Sequence, residues 1–496
     1  MSKSLEQSLR RSSRAVIAAQ VASQLVSLAV LAILYRRLGL EPYGLLGMVM
    51  PVLLLVRILV TSGLDMVTIQ QSEVTDRQVS ALFWVNQALG MAMALATAAS
   101  APLLVWFFEK EELGWLTVAL AGTSVAFVLG VQHQALLQRR LRLGTLAGLR
   151  LAALTLGGVA AVTLGLFGYG VWALVVQQYV EYGALAALVW MAEPWRPGFH
   201  FRRTGSRPLV RFGGQCTVSH LMLYLVTNVD KVLVGRLFGA VPLALYGQAF
   251  NLVMKPVHVL ITPLTGLMFP TLSRAASNPR QFAKLLLGFF RFILLAMLPM
   301  GVGLAIVAPE AMQVLGGPEW APAGPILAIL AVIIPVQGCY NALAYVFAAA
   351  GRAKRLSLAA VAGAMVLCVT YSLGLYLGLK WLPDEPLRAV RYVALGYTLG
   401  LIAVVFPPYL GFALATVNVP WRGWLAQLHP AGPAALAMAL LVAACHWFFG
   451  AVLAWRPLPL LAVEIAVGVV SYALLARRAL LWFVREGLRD LRDETA

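Results

Sequence analysis

Apolar runs of about 20 residues, the length a helix needs to cross a bilayer, recur along the whole chain with little between them. They number about fourteen and lie at 15–35, 44–64, 80–107, 115–136, 145–166, 169–191, 212–235, 243–269, 285–307, 325–349, 357–378, 391–416, 432–453 and 457–476. The third is long and should bend at Pro102. No connection on the outer side exceeds about 17 residues, so no soluble domain is expected. Only 12% of the residues are charged and 61% are hydrophobic. A soluble surface needs about twice that share of charge. The expected fold is therefore an all-α polytopic membrane protein. The run after Arg14 reads as an uncleaved first helix, not a removable signal.

The net charge of +18 would suggest nucleic acid in a soluble protein. Here its distribution follows the loops. With the N-terminus (Lys3, Arg10, Arg11, Arg14) in the cytoplasm, the inner loops carry Arg139/Arg140/Arg142, Arg196/Arg202/Arg203/Arg207/Arg211, Arg274/Arg280/Lys284 and Arg352/Lys354/Arg355. The outer loops are mostly short or acidic, as in Glu109–Glu112 and around Glu310 and Glu319. This is the positive-inside bias, with Arg36/Arg37, the mixed 380–388 loop and the acidic inner turn at Asp65, Glu73 and Asp76 as exceptions. Both termini are expected in the cytoplasm. Most of the charge therefore sets topology, and no nucleic-acid partner is expected.

Similar features recur in order. Tyr43-Gly44 and Ser62-Gly63-Leu64 bracket the second span, as Tyr246-Gly247 and Thr265-Gly266-Leu267 bracket the eighth at equal spacing. Ala101-Pro102 has a counterpart in Ala308-Pro309, and the basic turn QRRLRL in GRAKRL. These matches predict two six-helix bundles in parallel pseudo-twofold repeat, 1–195 and 196–420, with a midplane site. An appended helix pair should occupy 421–476 and a cytoplasmic amphipathic tail 477–496, a solvated tail being the competing reading.

No P-loop, HExxH, CxxC or GxSxG pattern is present. Cys216, Cys339, Cys368 and Cys445 sit in apolar runs and read as small buried hydrophobes, not a disulfide or zinc framework. No enzyme, metal or cofactor is expected. The residues that carry chemistry are ionisable groups inside spans, which are costly in lipid and usually face a bundle interior. Arg57, Arg150 and Arg291 lie within a turn or two of the inner ends of their spans, and Lys255 lies near the middle of the eighth. Together they would form a cavity for an anionic headgroup, because guanidinium forks match phosphate oxygens. Each arginine could instead snorkel to the headgroups. Lys255 is too deep to do so, and a structural pair with Glu181 in the sixth span is its alternative. His133, His220 and His258 read more readily as helix contacts than as proton relays.

The stretch TNVDKVLVGRL, residues 227–237, places an acid and a base side by side in an apolar run. Adjacent residues do not face each other on a helix, so Asp230 and Lys231 should not satisfy one another. Asn228, Lys231 and Gly235 share one stripe, while Asp230 shares another with Thr227. The expectation is an outer gate or interbundle latch. A fixed interhelical salt bridge is the alternative.

The surrounding segment, NVDKVLVGRLFGAVPLALYGQAFNLVMKP, resembles the signature region of polysaccharide-export flippases. These are the O-antigen and colanic-acid type transporters of the multidrug/oligosaccharidyl-lipid/polysaccharide exporter superfamily. Asn228, Asp230, Gly235, Leu245, Tyr246 and Ala249 carry the match. A second region, APEAMQVLGGPEWAPAGPILAIL, matches through Ala308, Pro309, Gly317, Glu319 and Trp320, and YRRLGLEPYGLLGM resembles the family's first loop. Lys255 belongs to no matching motif.

The resemblance implies two six-helix bundles, a V-shaped cavity and alternating access. It also implies an undecaprenyl-diphosphate-linked oligosaccharide moved from the inner to the outer leaflet of a bacterial cytoplasmic membrane. Expected partners are that lipid-linked glycan, membrane lipids, a coupling proton or sodium ion acting at Glu181 or Asp230, and a polysaccharide polymerase. A peptidoglycan-precursor flippase and a drug or metabolite antiporter of the same superfamily are the alternatives. The antiporter would favour cavity acids over bases. A membrane polymerase or ligase would need a large outer loop carrying acids or histidines.

Overall fold

A computed structural model describes residues 3–61, 65, 68–69, 74–199, 224, 228–349, 353–429, 431–453 and 455–482. Among the described residues there is no strand, and helix follows helix throughout. Those of the first part are α1 (Lys3–Leu38), α2 (Glu41–Thr61), α3 (Asp76–Ala99), α4 (Ala101–Phe108), α5 (Leu113–Arg139), α6 (Leu143–Leu166), α7 (Val171–Ala192) and α8 (228–238). Next come α9 (Ala240–Arg274), α10 (Pro279–Ile306), α11 (Ala308–Gly316), α12 (Ala323–Ala331), α13 (Ile334–Ala349), α14 (Ala353–Trp381), α15 (Pro386–Leu399) and α16 (Phe406–Thr416). The last are α17 (Trp421–Leu425), α18 (Gly432–Cys445), α19 (Pro457–Leu475) and α20 (Arg477–Trp482).

Among the described residues, ten helices are long and apolar enough to cross a membrane, or eleven if the bent pair α12–α13 is one span. The fold is thus that of a multi-pass membrane protein. The count of fourteen is not confirmed among the described residues. Helix α7 is present, but Gln177, Gln178 and Glu181 lower its hydropathy. Helix α9 covers the expected eighth span. Most of the expected seventh, 212–235, lies outside the described residues, as do Cys216, His220 and positions 483–496 of the tail.

Proline sets the breaks. The third span divides at Ser100, with Pro102 in the first turn of α4, because proline cannot donate to the preceding turn. Pro407 and Pro408 likewise cannot bond the carbonyls of Ala403 and Val404, and the chain widens into a π-helical turn over Gly400–Val405. The bend of 48° between α12 and α13 falls just before Pro335. Polar caps fix the starts. Thr75 and Gln78 form a reciprocal capping box at α3, and Asn278 accepts from the Gln281 N–H at α10.

Two compact units divide the chain, Met1–Ala244 and Leu245–Ala496. In the first, α6 packs along α1 and α7, and α5 packs against α2, α3 and α7. In the second, α14 lies along α15, and α10 contacts α13 and α18. The contact of α18 and α19 with α10 centres on Val307, Ala435, Met438 and Tyr472. The Tyr472 hydroxyl donates to the Leu295 carbonyl at 2.7 Å. In the spans holding α18 and α19 only 22% of residues are buried, against 50% for α10. Leu436, Leu440, Val469 and Leu474 are exposed there, which in a bilayer means facing lipid.

Close helix approach in membranes depends on small residues. A Cβ on Gly378 of α14 would stand 2.7 Å from the Ala389 carbonyl oxygen of α15, which is backbone and cannot yield. Gly378→Leu is therefore expected to lower stability by about 2–3 kcal/mol through overpacking. Gly288→Leu, where a Cβ meets nothing within 4 Å, should be near neutral. Thermal unfolding of the two variants in detergent checks the difference.

Candidate functional site

Arg57 sits on α2, 9% exposed, and reaches sideways into its own unit instead of snorkelling. Its Nη1 donates to the Tyr182 hydroxyl at 2.7 Å. Its Nη2 donates to Gln178 Oε1 at 2.8 Å and to Thr123 Oγ1 at 3.3 Å. The rings of Tyr182 and Phe127 lie 4.5 and 5.5 Å from the guanidinium carbon. These acceptors are all neutral, and Glu181 stands within electrostatic range. Gln178, Glu181 and Tyr182 are spaced i, i+3, i+4, so one face of α7 presents all three. An arginine at the centre of a span costs about 2.5–3.5 kcal/mol on insertion scales, an upper bound for Arg57 near the C-terminal end of α2. Charge-assisted hydrogen bonds of about 1.5–3 kcal/mol each offset that cost. The result is a buried cation at the junction of α2, α5 and α7.

Arg150 on α6 directs Nε and Nη2 to one oxygen of Gln134 on α5, at 3.2 and 2.9 Å. His133, beside it, is fully buried. It stacks on Trp190 at 4.5 Å, and its Nε2 lies 3.2 Å from the Trp195 carbonyl. His133 is thus a helix contact. His258 on α9 is exposed.

In the second unit Lys255 on α9 is half-buried. Arg291 on α10 lines a cavity of about 590 Å³ with His429 and Arg478. The rest of the wall is apolar, from Pro433, Ala434, Leu475, Ala476 and Ala479. Two guanidiniums and an imidazole around one open cavity suit an anion. Arg57 and Arg150 belong to Met1–Ala244, and Lys255 and Arg291 to Leu245–Ala496.

On α8, Lys231 donates to Asn228 Oδ1 at 3.0 Å, one turn back on the same stripe. The Asn228 amide donates to the Tyr224 carbonyl at 3.1 Å, and the Tyr224 hydroxyl to the Pro51 carbonyl of α2 at 3.0 Å. Asp230 is 2% exposed and lies within electrostatic range of the Tyr224 hydroxyl. The lysine thus makes a bond along its own helix, while the aspartate is buried on a different stripe.

Farther along α8, Arg236 pairs with Glu109 at 2.7 Å, in the turn after α4. Glu109 adopts the left-handed conformation, φ 56°. The Arg236 guanidinium holds its carboxyl below the ordinary value of 4.5. A depressed carboxylate stabilises the fold above its unfolded pKa, and that contribution disappears as pH falls through the folded value. The pair is solvent-exposed, so the effect is small. Glu109→Gln should melt slightly below the wild type at neutral pH and together with it well below pH 4.5. Melting curves across pH check this.

A family model described as "Polysaccharide biosynthesis protein" matches residues 30–325, well over half of the chain. The chain belongs to the polysaccharide biosynthesis protein family. Within that family's reach, the teichuronic acid biosynthesis protein TuaB of Bacillus subtilis (strain 168) is 28% identical over 300 residues, 60% of this chain and 62% of that one. The match thus spans less than two thirds of that relative's length. The lipopolysaccharide biosynthesis protein WzxC of Escherichia coli (strain K12) is 22% identical over 391 residues, covering 76% of this chain and 75% of that one. Among solved structures, the lipid II flippase MurJ in an inward closed conformation superposes with a TM-score of 0.72 over 95% of this chain and 99% of that one, at 13% identity. An inward-facing multidrug resistance transporter of the MATE family gives 0.60, covering 84% and 98%, also at 13% identity. At such identity these two structures establish the fold alone, a transporter-type helical fold. In this polysaccharide biosynthesis family member, Arg57 and Arg150 lie on helices long and apolar enough to cross a membrane.

Proposed function

We propose that the protein is a flippase, not an enzyme, and that it carries a polyprenyl-diphosphate-linked oligosaccharide from the inner to the outer leaflet of a bacterial cytoplasmic membrane. The observation that carries this reading is the buried Arg57 guanidinium, held by the neutral acceptors Tyr182, Gln178 and Thr123 in a member of the polysaccharide biosynthesis family. The names of TuaB and WzxC, both concerned with surface polysaccharide, and the fold of the lipid II flippase MurJ support it.

In this reading the pyrophosphate binds the buried Arg57 fork of the first unit, while the lipid tail stays in the bilayer. A phosphate oxygen competes with Gln178 and Tyr182 for the Arg57 fork, because charge-assisted bonds are roughly twice as strong as neutral ones. Glu181 supplies the release step. Charged, it holds Arg57 against the phosphate; protonated, it leaves the guanidinium to the substrate. The membrane potential, negative inside and worth about 2.3 kcal/mol per charge per 100 mV, then drives the anionic headgroup outward. Both termini face the cytoplasm, and a polysaccharide polymerase takes the product on the far side.

Asp230, with Asn228 and Lys231 beside it on α8, acts as a latch that must release during the cycle. Asp230→Ala is expected to keep the protein in the membrane while export falls, as measured by membrane immunoblots and surface glycan. Full activity in Asp230→Ala removes the latch.

Deletion of the gene tests the function itself. Surface polysaccharide should disappear while lipid-linked oligosaccharide accumulates in a form shielded from reagents outside the cell. Unchanged surface polysaccharide, or accumulation on the outer leaflet, contradicts the reading.

A further inference from the structure

Glu310, His446 and Glu464 converge within the second unit from three separate helical segments. Glu310 opens α11, His446 follows α18 at the first position of a π-helical turn, and Glu464 lies on α19. His446 Nδ1 lies 2.8 Å from Glu464 Oε1 and 3.7 Å from Glu310 Oε1. The ligand-type atoms all lie within 4.8 Å of one another. We infer that these three side chains form a binding site for one divalent transition-metal ion of the zinc class, which pins the appended helices α18 and α19 to α11.

Burial is the first argument. The Glu464 side chain is 0% exposed and that of Glu310 12%. The second oxygen of each carboxylate has no hydrogen-bond partner. Two carboxylates in a low-dielectric site repel unless a cation stands between them, and one imidazolium can supply a single positive charge. A divalent ion supplies two and takes a coordinate bond from each carboxylate.

Geometry is the second. Zinc binds carboxylate oxygen and imidazole nitrogen at about 2.0–2.2 Å in a tetrahedron, so neighbouring ligand atoms stand roughly 3.4 Å apart. The separations of 2.8 and 3.7 Å bracket that figure. The widest pair, within 4.8 Å, needs a side-chain shift of about 1 Å. A π-helical turn begins at His446, and such turns often occur at functional positions. His446 is 41% exposed and gives an ion a route in and a place for water as fourth ligand. The imidazole also selects the metal. Magnesium and calcium favour all-oxygen shells, whereas zinc and its neighbours accept nitrogen.

Untagged full-length protein, stripped with chelator and held in detergent, is titrated with Zn²⁺ and then passed through a desalting column for metal analysis. One zinc per chain should be retained, with a raised melting temperature, and excess Mg²⁺ should not displace it. Glu464→Gln and His446→Gln should each weaken zinc binding at least tenfold. Glu310→Gln, at the least buried carboxylate, keeps the test available if Glu464→Gln fails to fold. Co²⁺ in place of zinc should give visible d–d bands that vanish in the same variants. No retained zinc, or equal affinity in wild type and variants, overturns the site and leaves a plain ion-paired triad.

Discussion

Replacing Arg57 with alanine should abolish glycan export while the protein still accumulates in the membrane. The first half follows from chemistry. A forked contact to pyrophosphate supplies two charge-assisted hydrogen bonds of about 1.5–3 kcal/mol each, so its loss lowers affinity by roughly 100-fold or more. The second half follows from the surroundings of Arg57. Removing it leaves the neutral groups Tyr182, Gln178 and Thr123 each short of one donor, and removes a charge that was costly to bury. Arg57→Lys keeps the charge but not the fork, and should retain a fraction of export. Surface glycan and immunoblots of the membrane fraction measure both halves. Wild-type export in Arg57→Ala contradicts the role.

Arg140→Ala should have the opposite profile, a large loss of stability from a residue with no part in transport. Arg140 reaches from the end of α5 to Glu193, just past α7, at 2.8 Å. The carboxylate is 0% exposed and the guanidinium side chain 49%. Removing a partner from a buried pair costs about 3–5 kcal/mol. The exposed side of this pair lowers the expected loss to about 2–3 kcal/mol. Glu193→Gln added to Arg140→Ala should recover part of it, because the orphaned charge is gone. Unfolding of the single and double variants in detergent measures the coupling.

How much of this was legible in the sequence depends on the range of the interaction. Apolar runs, Pro102 and the family signature around Asn228, Asp230 and Gly235 are local, and the helices and the family follow from them. Arg57 stood out because an arginine in an apolar run is costly wherever it lies. Its partners did not stand out, although the polar spacing of Gln178, Glu181 and Tyr182 is visible within the span. Glu181 reads from the sequence as an ion-coupling carboxylate or a partner for Lys255; its place within electrostatic range of Arg57 is not legible there, because sequence gives a residue's depth in the membrane but not its neighbour on another helix. Glu310, His446 and Glu464 were not legible as a group for the same reason: three helices must meet before they touch. The cavity of Arg291 likewise takes Arg478 from a segment that reads as a surface tail.

The central claim is transport of a lipid-linked glycan through the Arg57 site. Purified protein reconstituted into liposomes with a fluorescent polyprenyl-diphosphate oligosaccharide tests it most directly, with leaflet position scored by a membrane-impermeant quencher. Wild-type protein should equilibrate the probe across the bilayer, and Arg57→Ala vesicles should match protein-free ones. Equal movement with wild-type protein, Arg57→Ala and no protein would contradict the account.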